Sequence, residues 1–238
     1  MTNRGHAPDF GRRAATYDRL RPADERWREL LDLLVREGDL DGARVLDVGC
    51  GTGRVATALG AIGVDPSPEM LEVARRRGVN GYLGRAEELP FADASFDAAV
   101  LALVVHLGDR LRAFDELRRV LRRGGRLLIA TFDPTYFDAF WLNRLFPSME
   151  AADRARFPNR DDLAAELRRA RFADVRFVRL SQIDSVDRET ALERIRGRHI
   201  STFDLIPEDE YAAGLAQAER ELPLQFDVRT EWLVTIAT

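Results

Sequence analysis

Two aspartates, each near the end of a short apolar run, stand on either side of a glycine-rich turn: Val45-Leu46-Asp47-Val48-Gly49-Cys50-Gly51-Thr52-Gly53 and Gly63-Val64-Asp65. Carboxylates so placed accept hydrogen bonds from amino and hydroxyl groups, and glycines let backbone approach a ligand that a Cβ would hold away. An acid ending the second strand, after a glycine turn that ends the first, suits the diol of a ribose. A plain strand-to-helix turn also uses glycines, and Asp65 before Pro66 and Ser67 also reads as a helix cap. The two features together point to a nucleoside. A dinucleotide fingerprint sets its third glycine three residues after the second, whereas Gly53 follows Gly51 by two and bulky Arg54 comes next. A nucleoside without a pyrophosphate, needing acceptors for amino and ribose groups, fits Asp47 and Asp65 better.

Short strands at regular intervals must position these residues. β-like runs at 44–48, 61–64, 82–84, 96–103 and 126–131 alternate with helical patterns, as parallel strands joined by crossover helices do. Helices are predicted over 68–77 and 110–121, the second stopping before Gly124 and Gly125. Ahead of the sheet, Trp27, Leu30, Leu31, Leu34 and Val35 mark a helix over 24–37, with Gly38 as its C-cap. After Thr131 the pattern loosens. A turn at Asp133-Pro134, an aromatic stretch over 136–146 and breaks at Pro147 and Pro158 predict an insertion or lid. Asn159 caps a helix over 161–170, strands follow at 174–180 and 227–235, and helices lie at 188–196 and 207–221. The expected fold is α/β: a Rossmann-like, mostly parallel seven-stranded sheet with helices on both faces and a helical lid. One domain over 1–238 is expected, with an N-terminal helical cap (1–40), a core (41–131), and a lid that also completes the sheet (132–238).

The chain of 238 residues has a formal charge of −4 and no lysine, so its 36 cationic side chains are all arginine, scattered among 40 acids. That balance offers no general attraction to a phosphate backbone, and nucleic acid is not an expected partner. Cys50 is the single cysteine and residues 1–10 have no apolar signal core, which together predict a cytoplasmic protein. The apolar run 98–105 falls far short of the roughly 20 residues of a membrane span and reads as a buried parallel strand. No membrane association is expected, and the oligomeric state is not legible. Three separated histidines and one cysteine make no metal cluster, and there is no Gly-x-Ser-x-Gly elbow.

Val45 to Gly53, Asp65 to Met70, Ala86 to Phe91, Asp93 to Asp97 and Glu116 to Gly125, as an ordered series, resemble the class I S-adenosylmethionine-dependent methyltransferases of the ubiquinone/menaquinone-biosynthesis-like group (methyltransferase type 11). The resemblance covers roughly residues 10–131 and weakens beyond. It implies that Asp47, Gly49 and Gly51 face the methionine end of the cofactor, Asp65 its ribose, and Pro66, Ser67 and Met70 its adenosine, with Cys50 also among the cofactor-binding residues. Arg85, Ala86 and Glu87 would border adenine, and Leu103 would complete the set. Arg85 stands where family members often carry an acid, which leaves the Ala86 backbone to read the ring. Arg123, a short link from Gly53 to Gly63, and one residue fewer between Asp97 and Asp109 are further departures. The stretch from Phe10 to Pro22, with Tyr17, Asp18 and Arg21, is similar to the segment that folds over the cofactor in this family, and Tyr17 is its expected contact.

The resemblance implies methyl transfer to a small organic acceptor, with S-adenosylhomocysteine as product. In-line displacement from a sulfonium depends mainly on alignment and exclusion of water. An acceptor with a hydroxyl or acidic carbon needs a base, and His106, just past the fourth strand, is the candidate, although a histidine at a strand end is more often structural. His199 fits either a place lining the acceptor pocket or, as the commoner case, the surface, and His6 is expected in a mobile terminus. Tyr136, Phe137, Phe140 and Trp141 fit either an acceptor wall or the buried stripe of an amphipathic helix. Two other readings stay open: a protein that binds the cofactor without methylating, and a nicotinamide-dependent oxidoreductase.

Overall fold

The computed structural model describes residues 10–238. In chain order its elements are α1 (Tyr17–Leu20), α2 (Glu25–Gly38), β1 (Val45–Val48), α3 (Arg54–Leu59), β2 (Ile62–Asp65), α4 (Pro68–Arg76), β3 (Gly81–Leu83), β4 (Phe96–Ala102), α5 (Arg110–Val120) and β5 (Leu121–Phe132). Two 3-10 turns (Pro134–Ala139 and Trp141–Arg144) lead to α6 (Ser148–Arg156), α7 (Arg160–Arg169), β6 (Val175–Asp187), α8 (Arg188–Arg196), α9 (Glu208–Glu221) and β7 (Gln225–Ala237). The seven strands form one sheet in the order β3-β2-β1-β4-β5-β7-β6. The first five are parallel, and β7 runs antiparallel between β5 and β6. This is the expected mostly parallel α/β sheet.

Both faces of the sheet are covered, as near-continuous apolar strands require. Alternate residues of β5 serve opposite layers: Leu127 and Ile129 join Phe114 and Leu117 of α5 and Leu163 of α7, whereas Leu128 and Ala130 meet Leu30 and Leu34 of α2 and Val55 of α3. A third cluster, including Phe146, Met149, Ile195, Phe203 and Tyr211, lies in the lid. Helix starts follow their capping side chains: Asp24 accepts from the Trp27 amide, Ser67 from Met70 and Asn159 from Asp162.

Several boundaries differ from expectation for physical reasons. Gly38 ends α2 as a helical residue, and Asp39, at φ 47°, takes the left-handed cap position. A Cβ on Gly38 would sit 2.6 Å from Leu128, so glycine serves close packing there. Strand β5 begins at Leu121, directly after α5, and Gly124 turns within it at φ 75°. Strands β6 and β7 are longer than expected because they pair with each other along their whole length, from Val175↔Ala237 to Asp187↔Gln225. The aromatic stretch after β5 forms 3-10 turns. Among the described residues no helix is long and apolar enough to cross a membrane.

Candidate active site at the glycine turn

The sheet order reverses between β1 and β4, and ligands of open α/β sheets bind beyond the carboxyl ends of strands at such a point. The glycine turn lies there. Gly49, Gly51 and Gly53 adopt φ of 69°, 53° and 80°, a region that costs other residues about 1–2 kcal/mol. The turn's amides are used internally: Gly49 and Cys50 donate to the Val64 carbonyl (2.8 and 3.0 Å), and Gly53 to that of Cys50 (2.8 Å). Gly51 donates to Oδ2 of Asp65 (2.8 Å), whose Oδ1 accepts from the Ser67 amide (2.9 Å). Asp65 thus ties the turn to the start of α4, and burial raises its pKa against the pull of those two amides.

Asp47 lies on β1 between Gly63 of β2 and Val100 of β4 and is 1% exposed. Its Oδ2 is buried without a hydrogen-bond partner. Burial, with a smaller push from the Asp65 charge, lifts its pKa to about 7, and the Ala56 amide pulls the other way. A cation placed against this carboxyl would restore its charged form.

Two cavities meet at the turn. The first, about 420 Å³, is bordered by all the cofactor residues expected from the sequence except Asp47 and Cys50. Those two border the second, a chamber of about 310 Å³ that also reaches His106. Phe10, Tyr17, Gly49, Gly51, Ala102 and Leu103 border both. Leu103 holds φ 56°, a strained conformation for a leucine, at the junction of the two. In the first cavity Met70 is fully buried, the Ser67 hydroxyl caps α4 and reaches Glu69, and exposed Arg85 pairs with Glu87 at the rim. Glu87 also accepts from the Asp109 amide (3.1 Å). The Cys50 thiol fills the space above Gly63, and burial, then Asp47 and Asp65, push its pKa up.

The segment before α2 is fastened across the turn. Asp18 accepts from the Thr52 hydroxyl (2.8 Å) and pairs with Arg77 (2.5 Å), and Arg54 donates to the Arg21 carbonyl. Arg21 donates to the Tyr17 hydroxyl (3.0 Å) and, through two guanidinium nitrogens, to the His199 carbonyl. That grip overturns the expected surface position of His199, which borders the chamber instead. Its Nδ1 meets the Arg194 carbonyl at 3.0 Å, and burial followed by the Arg21 charge pushes its pKa down to about 3.

His106 stacks on Phe157 (4.0 Å between centroids, 16° between planes), and its buried Nδ1 has no partner. Burial, then Arg156 and Arg21, hold its pKa well below the usual histidine value, so the ring is neutral at pH 7. Tyr136, Phe137, Phe140 and Trp141 all border the chamber while also packing in the lid's apolar clusters. His6 lies outside the described residues.

Residues 46–129 match the family model for a methyltransferase domain. A ubiquinone/menaquinone biosynthesis C-methyltransferase, UbiE, of Geobacter sp. is 32% identical over 208 residues, covering 70% of this chain and 87% of that protein. The chain belongs to the class I methyltransferases of the UbiE-like group. Another relative, the Mycobacterium tuberculosis methyltransferase Rv3342, is 42% identical over 125 residues, 50% of this chain and 49% of its own length. The chain thus matches about half the length of that relative. The YcgJ protein of Bacillus subtilis shares the methyltransferase fold found here, with a TM-score of 0.63 at 23% identity over 88% of this chain and 97% of that one.

Within this UbiE-like methyltransferase, sequence reasoning missed the chamber's distant contributors: Gln182 on β6, Arg194 on α8, and Thr230 and Trp232 on β7. No local spacing joins them: the pairing of β6 with β7 sets Gln182 opposite Thr230, and α8, which carries Arg194, follows directly from the end of β6. Thr52 as an anchor for Asp18 was equally hidden, for a hydroxyl inside a glycine turn reads as turn chemistry.

Proposed function

We propose that this protein transfers the methyl group of S-adenosylmethionine to a small organic acceptor by in-line displacement. The first cavity would take the cofactor's nucleoside, the edge of the chamber at Asp47 its methionine end, and the rest of the chamber the acceptor, with residues 1–238 acting as one domain. The observation that carries the reading is the use of the turn's amides. Four of them bond to Val64, Cys50 and Asp65, so the loop offers no phosphate cradle, while Asp47 keeps a buried acceptor without a donor. A phosphate-free cofactor with an ammonium group fits that pattern, and a pyrophosphate does not.

In this reading Asp47 accepts from the cofactor's amino group and Asp65 from its ribose hydroxyls, using lone pairs that Gly51 and Ser67 leave free. Residues 85–87 border the base. When bound, the cofactor supplies a methyl group already activated by its sulfonium. Tyr17 and the fastened N-terminal segment exclude water where the cavities meet, and His106, which borders the chamber, is the group that would take a proton from the acceptor, against the burial and the Arg156 and Arg21 charges that oppose its protonation.

Calorimetric titration with S-adenosylmethionine, S-adenosylhomocysteine and NADH tests the cofactor class. Saturable binding of the two sulfur nucleosides alone is the expected outcome, and binding of NADH alone would replace this reading with the oxidoreductase.

Asp47 gives binding a pH signature. Its folded pKa, about 7, lies above the unfolded value, so its contribution to stability is present in acid and is lost as pH rises through 7. A cation seated beside it favours the carboxylate, so affinity for the nucleosides rises with pH and levels off above about pH 7. Titrations at pH 6 in two buffers of different ionisation enthalpy should show proton release, and Asp47→Asn should abolish it. A pH-independent affinity would separate Asp47 from the ligand.

For His106→Ala, transfer to a hydroxyl or carbon acceptor should fall by about 10²-fold or more while nucleoside affinity stays within about twofold. Turnover equal to wild type would leave His106 as the stacking partner of Phe157 alone.

A further inference from the structure

We infer that the acceptor is a planar apolar molecule bearing a carboxylate, with its ring against the aromatic wall of the chamber and its carboxylate on Arg194. This rests on the proposed assignment of the chamber to the acceptor. Phe132, Phe137, Phe157 and Trp232 form the wall, with ring centroids 4.9 to 5.9 Å apart. Such rings favour a flat guest through stacking and edge contacts.

The polar side chains around that wall are largely committed. Gln182 donates to the Arg26 carbonyl and to Glu29 and accepts from the Trp232 indole. Asp153 accepts from Thr202 and pairs with Arg156, both at 2.7 Å. Arg26 is clasped between Asp24 and Asp184, at 2.5 and 2.7 Å. Arg21 and Arg54 are bound to carbonyl groups. Arg194 differs: no hydrogen bond or ion pair from its guanidinium is found among the described residues, and the acids that influence it include Asp24 and Asp184, already held by Arg26.

The surrounding charge points the same way. Arg21 and Arg54 have no carboxylate in hydrogen-bond contact among the described residues, and Arg21 and Arg194 both act against protonation of His199. An amine would enter against these cations, and a neutral molecule would cover Arg194 without pairing it. A carboxylate matches the guanidinium fork with two parallel hydrogen bonds. A sulfonium in the adjoining cavity would add to the attraction for an anion.

All three tryptophans of the chain, Trp27, Trp141 and Trp232, border the chamber, so their emission reports what enters it. The test titrates 3-phenylpropanoate, its methyl ester and 3-phenylpropylamine, with and without saturating S-adenosylhomocysteine, following both heat and emission. The acid should bind at least about tenfold more tightly than the ester or the amine. Arg194→Gln should remove that preference while ester binding and S-adenosylhomocysteine binding stay within about twofold, and Arg194→Lys should restore part of it. Equal binding of acid and ester, preference for the amine, absence of acid binding, or an unchanged preference in Arg194→Gln each overturns the proposal. Failure of S-adenosylhomocysteine to bind overturns the cofactor reading instead, and the acid preference is then decided by the titrations made without it.

Discussion

Replacing Asp65 with alanine is expected to lower affinity for S-adenosylhomocysteine by about 10- to 100-fold, the worth of one to two hydrogen bonds to a charged group. The same carboxylate that would meet the ribose also accepts from the amides of Gly51 and Ser67, so its removal loosens the turn and the start of α4 together. Ligand contact and scaffold are therefore lost at once, and the thermal midpoint should fall as well. Asp65→Asn separates the two contributions. Its carbonyl oxygen keeps one acceptor, while its NH₂ group opposes the second amide, so both losses should be intermediate. Calorimetry gives the affinities and thermal unfolding the stability. An Asp65→Ala protein that binds like wild type would remove Asp65 from the site, whatever its stability.

Gly53→Ala is expected to cost about 2–5 kcal/mol, combining a left-handed backbone in a residue with a side chain and overpacking against α4. The new Cβ would lie 2.8 Å from Cγ2 of Val79, 2.9 Å from Cβ of Ala74 and 3.1 Å from its Cα. Val79 can rotate, but the Cα of Ala74 belongs to the helix backbone and can yield only if α4 moves. For a chain of this size that cost lowers the midpoint by roughly 5–15 °C. Gly51→Ala is the control, because it shares a positive φ but has open space around its Cβ, so it should carry only the backbone penalty. A Gly53→Ala protein no less stable than Gly51→Ala would show that α4 adjusts freely.

The parallel half of the sheet was legible because strands covered on both faces are apolar almost throughout, as Val45–Val48 and Phe96–Ala102 are. The ribbon of β6 and β7 was legible only in part. Its outer half alternates covered and open positions, but Gln182 and Asp184 take the covered face and Ile183 the open one, which breaks the apolar pattern, and its length comes from pairing between segments far apart in sequence. At the site, the glycine turn and Asp65 could be read because their residues are neighbours in the chain. The left-handed Leu103 could not, for nothing in leucine's chemistry announces it. Nor could Arg194, whose distinction lies in what its neighbours already hold.

The position of β7 also orders the assembly of the molecule as the chain emerges from synthesis. β1 to β5 can pair as they appear, but β6 has only β7 as a neighbour and must wait for the last strand. Every residue bordering the first cavity lies between Phe10 and Phe114, whereas the chamber needs Val228, Thr230 and Trp232 of β7. A nascent chain therefore carries all the residues of its nucleoside cleft long before it has those of a place to put anything beside it.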